Sequence, residues 1–221
     1  MRLSRVLVLP ALIPALISGC SSGPNFVAKL EPWRAKEENS CLESGVLART
    51  TFVASRSALG GPSVCGTERP FELSAVYGGR VQIKPTALLR CPMIPQVDRW
   101  VSESVIPAAR RYFGSDVIEI SIAGSYSCRP MNHVSGAKLS EHGYANALDV
   151  SGFTLADGRK VSVKRGWNGS EVEQAYLRVV HRSACQYFTT VLGPNHDRAH
   201  NDHFHVDLAR HGSDGLKRIC K

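Results

Sequence analysis

Apolar residues recur at two different periods along the chain, and these periods predict its helices and strands. Within Pro95–Gly114, apolar side chains return every three or four residues, which is typical of a helix packed on one side against a core. Pro107 lies inside this run and should kink or split the helix, because proline removes a backbone hydrogen bond. Within Val117–Ala123, valine and isoleucine alternate with polar or small residues, which predicts a half-buried strand.

Both periods return in the C-terminal half of the chain. Asp157-Gly158 is a strong turn signal, and it predicts a hairpin within Phe153–Val163. Ser170 and Glu173 have the spacing of a capping box, which is typical of the first turn of a helix. Within His203–Leu208, polar and apolar residues alternate again, so this stretch is expected to form another half-buried strand.

The N-terminal part of the chain contains further short β-like runs. Phe71–Val76 and Arg80–Lys84 are examples, and glycine-rich turns separate them. We expect Cys41–Arg90 to form a small β-rich subdomain packed on the core. Strands and helices follow one another without βαβ regularity, so the fold class is α+β. The prediction is one domain over residues 41–221, with a mainly antiparallel central sheet flanked by helices.

The first 19 residues have the pattern of an export signal. Arg2 and Arg5 precede an apolar run that is shorter than the ~20 residues of a membrane-spanning helix. The run ends in Ile-Ser-Gly-Cys20, which resembles the cleavage box of bacterial lipoproteins and makes Cys20 the expected lipidation site. The alternative is an ordinary secretory signal followed by a coincidental cysteine. Ser21 favours a lipoprotein of the outer membrane that faces the periplasm, with residues 20–40 as a polar tether.

Six of the seven cysteines lie beyond Cys20, and an even count behind an export signal predicts disulfides. Fifteen pairings are possible for six cysteines, and the residues themselves do not choose among them. Sequential pairing is the working expectation: Cys41–Cys65, Cys91–Cys128 and Cys185–Cys220. Zinc ligation by cysteine is disfavoured because the chain has no Cys-x-x-Cys spacing.

The chain is modestly basic, with a formal net charge of +8 at pH 7. Without Arg2 and Arg5, 25 Lys and Arg residues face 19 Asp and Glu residues, which leaves +6. No long basic run and no nucleic-acid motif is present, so nucleic acid is not an expected partner. The excess charge indicates either a solvated basic surface or weak attraction to anionic envelope polymers.

Two short stretches contain residues that favour metal chemistry. Six residues separate His142 from Asp149, and the second stretch holds the pair His203 and His205, preceded by His200. Side chains two apart on a strand share a face, so His203 and His205 should point the same way. Two imidazoles and a carboxylate can supply three ligands to one zinc ion and leave a fourth position for water, as catalytic zinc sites do. Either pattern alone is common without metal, but both together favour a metal site.

The order His-x6-Asp and then His-x-His resembles a metallopeptidase group. That group contains lysostaphin-type endopeptidases, D-Ala-D-Ala carboxypeptidases and the penicillin-insensitive murein endopeptidase. The resemblance implies that His142, Asp149 and His205 hold Zn²⁺ and that His203 is the catalytic histidine. Arg129 falls where the group has an arginine that engages substrate oxygens, although a structural ion pair explains an arginine there equally well.

Three further polar residues accompany the expected ligands. Asp202 has the position of the glutamate base of the carboxypeptidase branch, but strand alternation points it away from the cleft, so it ranks below His203. His200 is expected to orient another residue or to be a further histidine of the cleft. Asp207 is expected either to accept an imidazole N–H or to be an exposed strand residue. Outside these stretches, Tyr126 either lines the cleft or fills core, and we expect core; His181 is expected to be structural rather than a ligand.

Several short sequence motifs, spread over about Cys41 to Cys220, also resemble those of the bacterial family named after the extensin C-terminal region. These motifs are Gly124-Ser-Tyr-Ser-Cys-Arg129, Ser140-Glu-His142, Val191-Leu-Gly-Pro194 and Asp202-His-Phe-His205. The chain has no Pro-rich extensin repeat, so a structural role in plant walls does not follow.

The expected function is zinc-dependent hydrolysis of amide bonds in peptidoglycan peptides at the cell envelope, by a chain that we expect to be monomeric. One alternative is a non-catalytic envelope lipoprotein that binds peptidoglycan. Another is a periplasmic zinc-binding protein that uses the C-terminal histidines, which are His196, His200, His203, His205 and His211.

The export signal makes a direct prediction about the N-terminus. Because the apolar run ends in a lipoprotein-like box, the mature chain is expected to begin at Cys20 and to carry lipid there. Mass spectrometry of the N-terminal peptide from envelope fractions measures this. An unmodified Cys20, or cleavage at another residue, would contradict it.

Overall fold

A nine-stranded sheet runs through the residues described by the computed structural model, which are 24–47 and 51–221. The expected signal segment and the expected lipidation site Cys20 lie outside these residues. The strands are β1 (Val53–Ser55), β2 (Leu59–Gly60), β3 (Gly66–Thr67), β4 (Phe71–Val76), β5 (Val81–Leu89), β6 (Val117–Gly124), β7 (Ala147–Leu155), β8 (Lys160–Ser162), β9 (Thr190–Leu192), β10 (Phe204–Asp207) and β11 (Ile219–Cys220). The helices are α1 (Trp33–Glu43), α2 (Met93–Trp100), α3 (Ile106–Phe113), α4 (Val163–Gly166) and α5 (Glu171–Ala184).

The sheet is mainly antiparallel, as predicted for the α+β class. Its order is β1-β4-β5-β6-β7-β10-β9-β11, and β8 pairs with β7 as the second strand of the expected hairpin. Within this sheet the pairs β5–β6 and β9–β11 are parallel. β2 and β3 form a separate two-stranded sheet.

The β-rich N-terminal segment is continuous with the central sheet. β4 pairs with β5, and β5 pairs in turn with β6. The alternation along β5 explains this placement, because Val81, Ile83, Ala87 and Leu89 are all buried in the main core. The expectation of a subdomain packed on the core is therefore corrected for β4 and β5, which belong to the core sheet itself.

The helix predicted over Pro95–Gly114 is divided into three parts. α2 passes into a π-helical turn over Val101–Val105, and α3 follows with Pro107 in its first turn. Proline is tolerated there because the first N–H groups of a helix have no partner within it. Gly114 then ends α3 with a left-handed φ of 64°.

The helices bury their apolar faces against the sheet. Trp100 of α2 makes edge contacts with Phe153 and Phe188, at centroid separations of 6.5 and 6.0 Å. Its indole N–H donates to the carbonyl of Val180 on α5 over 3.2 Å, which satisfies the polar atom of a fully buried side chain. α5 begins at the predicted capping box of Ser170 and Glu173. None of the helices in the described residues combines the length and apolar character needed to cross a bilayer.

The described part of the expected tether is folded onto the domain. Within it, α1 buries Glu38, whose carboxylate accepts a hydrogen bond from Arg90 at 2.9 Å and another from the Cys91 backbone N–H at 3.1 Å. Phe26 is buried in a small cluster with Cys65, Leu139 and Tyr144. Ordered structure therefore begins on the N-terminal side of Cys41.

All six cysteines beyond Cys20 are paired, as predicted, but the sequential pairing is wrong for two of the three bonds. The disulfides are Cys41–Cys91, Cys65–Cys128 and Cys185–Cys220. The first joins α1 to the residues before α2, and the second joins the loop beside β3 to the segment after β6. Sheet pairing brings these distant segments together, so proximity along the chain does not decide the partners.

The buried ion pair between α1 and the sheet makes a prediction about stability. Arg90→Ala leaves the Glu38 carboxylate buried without its cation, which is expected to cost about 3–5 kcal/mol of unfolding free energy. Arg99→Ala is the control, because the Arg99–Glu103 pair is exposed on the surface and should matter far less. Chemical denaturation of both variants measures the difference. Equal losses would contradict the role given to the buried pair.

Candidate metal centre

Two predicted ligands face each other across neighbouring strands. β10 pairs antiparallel with β7 in the register that sets His205 directly opposite Asp149. Residues opposite each other in such a pair project their side chains from the same face of the sheet. His205 Nδ1 and Asp149 Oδ1 are 2.9 Å apart, and both side chains are buried.

The third predicted ligand comes from the loop before β7. His142 lies in a 3₁₀ turn over Glu141–Tyr144, which ends at Ala145 in the left-handed region. Its Nε2 lies 3.1 Å from Asp149 Oδ2 and 3.2 Å from His205 Nδ1. The structure therefore brings together all three residues that the resemblance to metallopeptidases implied as ligands.

Hydrogen bonds on the outer side of each imidazole fix its orientation. His142 Nδ1 contacts the Ser125 carbonyl oxygen, which only accepts, so Nδ1 carries a proton. His205 Nε2 contacts the Asp207 carboxylate at 2.9 Å, so this nitrogen also carries a proton. In the neutral tautomers, His142 Nε2 and His205 Nδ1 then present lone pairs to the same point. Metal-binding histidines are held in this way, by a carbonyl or carboxylate on the far nitrogen.

The donor set fits a zinc ion. Ligand atoms about 2.0–2.2 Å from one tetrahedral ion lie about 3.3–3.6 Å from each other. The two imidazole nitrogens are 3.2 Å apart, and each lies 2.9–3.1 Å from a different oxygen of Asp149, slightly closer than this separation. Two imidazole nitrogens and one carboxylate oxygen are donors that zinc accepts. These three side chains could hold the ion and leave a fourth position open towards the cleft.

The carboxylates beside His205 favour the protonated form of its imidazole. Burial opposes the charged form of His205, but hydrogen bonds to Asp149 and Asp207 outweigh it and raise the pKa of His205 to about 10. Burial likewise opposes ionisation of Asp149, yet hydrogen bonds from His142 and His205 lower the pKa of Asp149 well below its usual range. A metal ion must therefore displace the proton of His205, and its affinity should fall as the pH is lowered.

His203 stands beside the three candidate ligands. Its Nε2 is 3.5 Å from Asp149 Oδ1, and its Nδ1 is 2.9 Å from Asp202 Oδ1. His203 and His205 thus share a side, as the strand alternation predicted, although β10 begins one residue after His203. The side chain of Asp202 is half exposed and contacts the imidazole of His203. It contacts none of the three candidate ligands.

His200 lies next to this group and belongs to a second cluster. Its Nδ1 is 2.7 Å from Asp197 Oδ1, and its ring centroid is 5.4 Å from that of His203 and 5.7 Å from that of His205. Burial lowers the pKa of His200, and the Asp197 carboxylate opposes this shift. His196 joins His200 and Asp197 in a set of atoms close enough to hold a metal ion. Sequence reasoning missed Asp197, whose carboxylate also caps the turn over Arg198–His200.

The candidate ligands line an open cleft of about 1090 Å³, which also receives Arg129. Among the described residues, Arg129 has no ion-pair partner, and its guanidinium donates instead to the Pro130 carbonyl at 3.5 Å, so the alternative of a structural ion pair is not observed there. Tyr126 lines the cleft as well, and its hydroxyl donates to the Gly60 carbonyl at 3.0 Å. The expectation that Tyr126 fills core is therefore wrong, because its hydroxyl finds its partner at the surface. His181 is structural as expected, since it packs between Trp167 and Phe204.

Two supporting features had no clear signature in the sequence. Gly124 leaves room for the centre, because a Cβ atom there would come within 2.9 Å of Asp149 Oδ2. Glu141 holds the loop of His142 in place by accepting hydrogen bonds from Arg34 at 2.6 and 2.8 Å and from Asn146 at 2.6 Å. Arg34 lies 107 residues from Glu141 along the chain, so no local pattern predicts this contact.

A comparison with models of known protein families gives one match. The family model of the extensin-like protein C-terminus matches residues 39–221, which is most of the chain. The chain belongs to this family. Neither the curated proteins nor the solved structures yield a match. The extensin-like domain thus includes all the residues of the centre, and the likeness to metallopeptidases still depends on the residues quoted above.

The contact between His205 and Asp207 makes a prediction for the extensin-like domain. Asp207→Asn removes the carboxylate that holds the imidazole N–H of His205, and zinc affinity is expected to fall about 10–100-fold. Asp202→Asn is the matched control, because Asp202 contacts His203 and no candidate ligand. Competition titration against a zinc-binding dye measures both affinities. An equal fall in the two variants would contradict the arrangement.

Proposed function

We propose that the chain is a zinc-dependent peptidase that hydrolyses amide bonds in peptidoglycan peptides at the cell envelope. One observation supports this proposal above all others. Two imidazole nitrogens and a carboxylate converge in the lining of an open cleft, and the other nitrogen of each ring donates its proton to a protein oxygen. A closed structural zinc site would require a fourth protein ligand, usually cysteine, and the cysteines beyond Cys20 are engaged in disulfides.

Three side chains are the proposed zinc ligands, and two further residues orient the imidazoles. His142, Asp149 and His205 would hold the zinc ion, which would serve as a Lewis acid for a water molecule and a carbonyl oxygen. The two imidazoles bind as neutral groups, and Asp149 contributes one negative charge. Ser125 and Asp207 keep the imidazoles in the tautomers that this requires.

His203 is the proposed proton carrier. An attacking water must lose a proton, and the leaving amine must gain one. Histidine is the side chain that most often performs both transfers in enzymes. His203 Nε2 faces the centre at 3.5 Å from Asp149, while Asp202 accepts the proton of Nδ1. This contact supports a role for Asp202 as the residue that orients His203, and His203 remains the proposed base. His200 is the second imidazole available at the same place.

Arg129 is the proposed anchor for the substrate. Its guanidinium lines the cleft and has no acidic partner among the described residues. A guanidinium without an acidic partner can donate two parallel hydrogen bonds to a carboxylate, or a single one to a peptide carbonyl. Peptidoglycan peptides contain both groups.

The proposed location agrees with this substrate. A lipid on Cys20 would hold the chain at the periplasmic face of the outer membrane, within reach of the peptidoglycan layer. The excess of positive charge favours contact with that anionic layer. We propose that the chain acts there as a monomer.

Zinc binding without catalysis is the second candidate, and the cluster of His196, Asp197 and His200 favours it. Storage predicts a second ion at this cluster, which lines the same cleft, whereas catalysis requires only the ion at His142, Asp149 and His205. Zinc stoichiometry by native mass spectrometry separates the two, with His196→Ala as the variant that removes only the second site.

The assigned roles make a prediction about metal content and activity. Alanine at His142, Asp149 or His205 is expected to lower zinc content and muropeptide release together, because each side chain gives one ligand atom. His203→Ala is expected to keep its zinc and to lower release about 10²–10⁴-fold, the usual scale of general acid–base catalysis. Incubation of each variant with isolated sacculi, followed by analysis of released muropeptides, measures activity on preparations of known metal content.

The controls identify which part of the proposal fails. A chelator should abolish release by the unmodified chain, and zinc should restore it. If His203→Ala loses its zinc while His142→Ala retains it, the roles given to these residues are wrong. If the unmodified chain retains zinc and releases nothing, a non-catalytic peptidoglycan-binding role replaces the proposed activity.

A further inference from the structure

A second depression lies beside the cleft on the same face of the sheet. It has a volume of about 360 Å³ and is lined by β6, β7 and β8 together with Asp202. Ala123 borders both cavities, and Asp202 of the depression adjoins His203 of the cleft. The two cavities therefore adjoin each other at Ala123, and together they are called the groove.

β6 and the segment that follows it pass from the depression to the cleft. Glu119 and Ser121 line the depression, Gly124 abuts Asp149 of the centre, and the segment after β6 leads to Arg129 in the cleft. In chain order, the residues of the depression therefore come first, the contact with the centre follows, and Arg129 comes last. A bound chain that follows this order would have residues on both sides of the reacting bond.

Three cations border the depression, and none of them has a carboxylate partner among the described residues. Lys160, Lys164 and Arg165 are all exposed at its edge. The acidic residues of the depression are already engaged. Glu119 pairs with Lys84 at 3.0 Å, and Asp202 contacts His203 at 2.9 Å. The positive charge of the depression is therefore free to attract an anion.

We propose that the depression is a subsite for a carboxylate-bearing peptide segment, bound by Lys160, Lys164 and Arg165. This inference rests on the proposed function, because it gives the substrate a second contact beyond the centre. A peptide held at Arg129 and at the three cations crosses the centre with residues on both sides of the scissile bond. The groove then favours cleavage of an internal or cross-linking bond over removal of a terminal residue.

The test measures binding rather than turnover, so that it stays distinct from the test of the activity. The probe is a short synthetic peptide with two adjacent glutamates, and its glutamine analogue is the neutral control. Isothermal titration calorimetry compares the unmodified full chain with the variant K160Q/K164Q/R165Q. A matched variant, K36Q/R182Q/K217Q, removes the same charge from exposed positions outside both cavities.

The glutamate peptide is expected to bind the groove variant about tenfold more weakly than the unmodified chain, because three exposed contacts are lost. The matched variant should bind it as the unmodified chain does, and the difference should shrink at high salt. Equal affinity for the groove variant and the unmodified chain would overturn the subsite. An equal loss in the matched variant would also overturn it, since overall charge would then explain the attraction. Failure of muropeptide release with this binding pattern intact would count against the activity alone.

Discussion

The centre depends on the register in which β10 pairs with β7. His205 is opposite Asp149 only in this register, and a slip by one residue would turn His205 to the other face of the sheet. Phe204 and Val206 prevent such a slip, because both are fully buried and would have to leave the core. β10 is also held on its second edge by β9. The apolar residues of this short strand thus determine where its polar residues meet.

The same strand explains why the polar residues of the centre tolerate burial. An ionised carboxylate away from water is costly unless it is paired and hydrogen-bonded, and Asp149 and Asp207 are both buried. His205 lies between them and contacts one with each ring nitrogen. Either a proton on His205 or a metal ion at the centre compensates the charge of Asp149. The site is therefore built around a position that requires a cation.

The sequence was informative wherever a short period controls the structure. The strands over Val117–Gly124 and Phe204–Asp207, the capping box at Ser170 and the shared side of His203 and His205 all follow from spacing alone. Cys41–Cys91 and the Arg34–Glu141 contact could not be predicted, because they join segments brought together by the fold as a whole. The strand β5 continues beyond its predicted end at Lys84, because Ala87, Leu88 and Leu89 pair with the antiparallel neighbour β4.

The N-terminal helix shows why the physical unit is larger than the matched family region. The match begins at residue 39, but Arg34 binds Glu141 through both carboxylate oxygens and stacks on Tyr144, with its guanidinium 3.9 Å from the ring centroid. Both partners belong to the 3₁₀ turn that presents His142. Arg90, held by Glu38 of the same helix, donates its backbone N–H to Ala145, the residue that ends this turn. The position of His142 therefore depends on α1, and the segment that leads from the expected membrane anchor is part of the support of the centre.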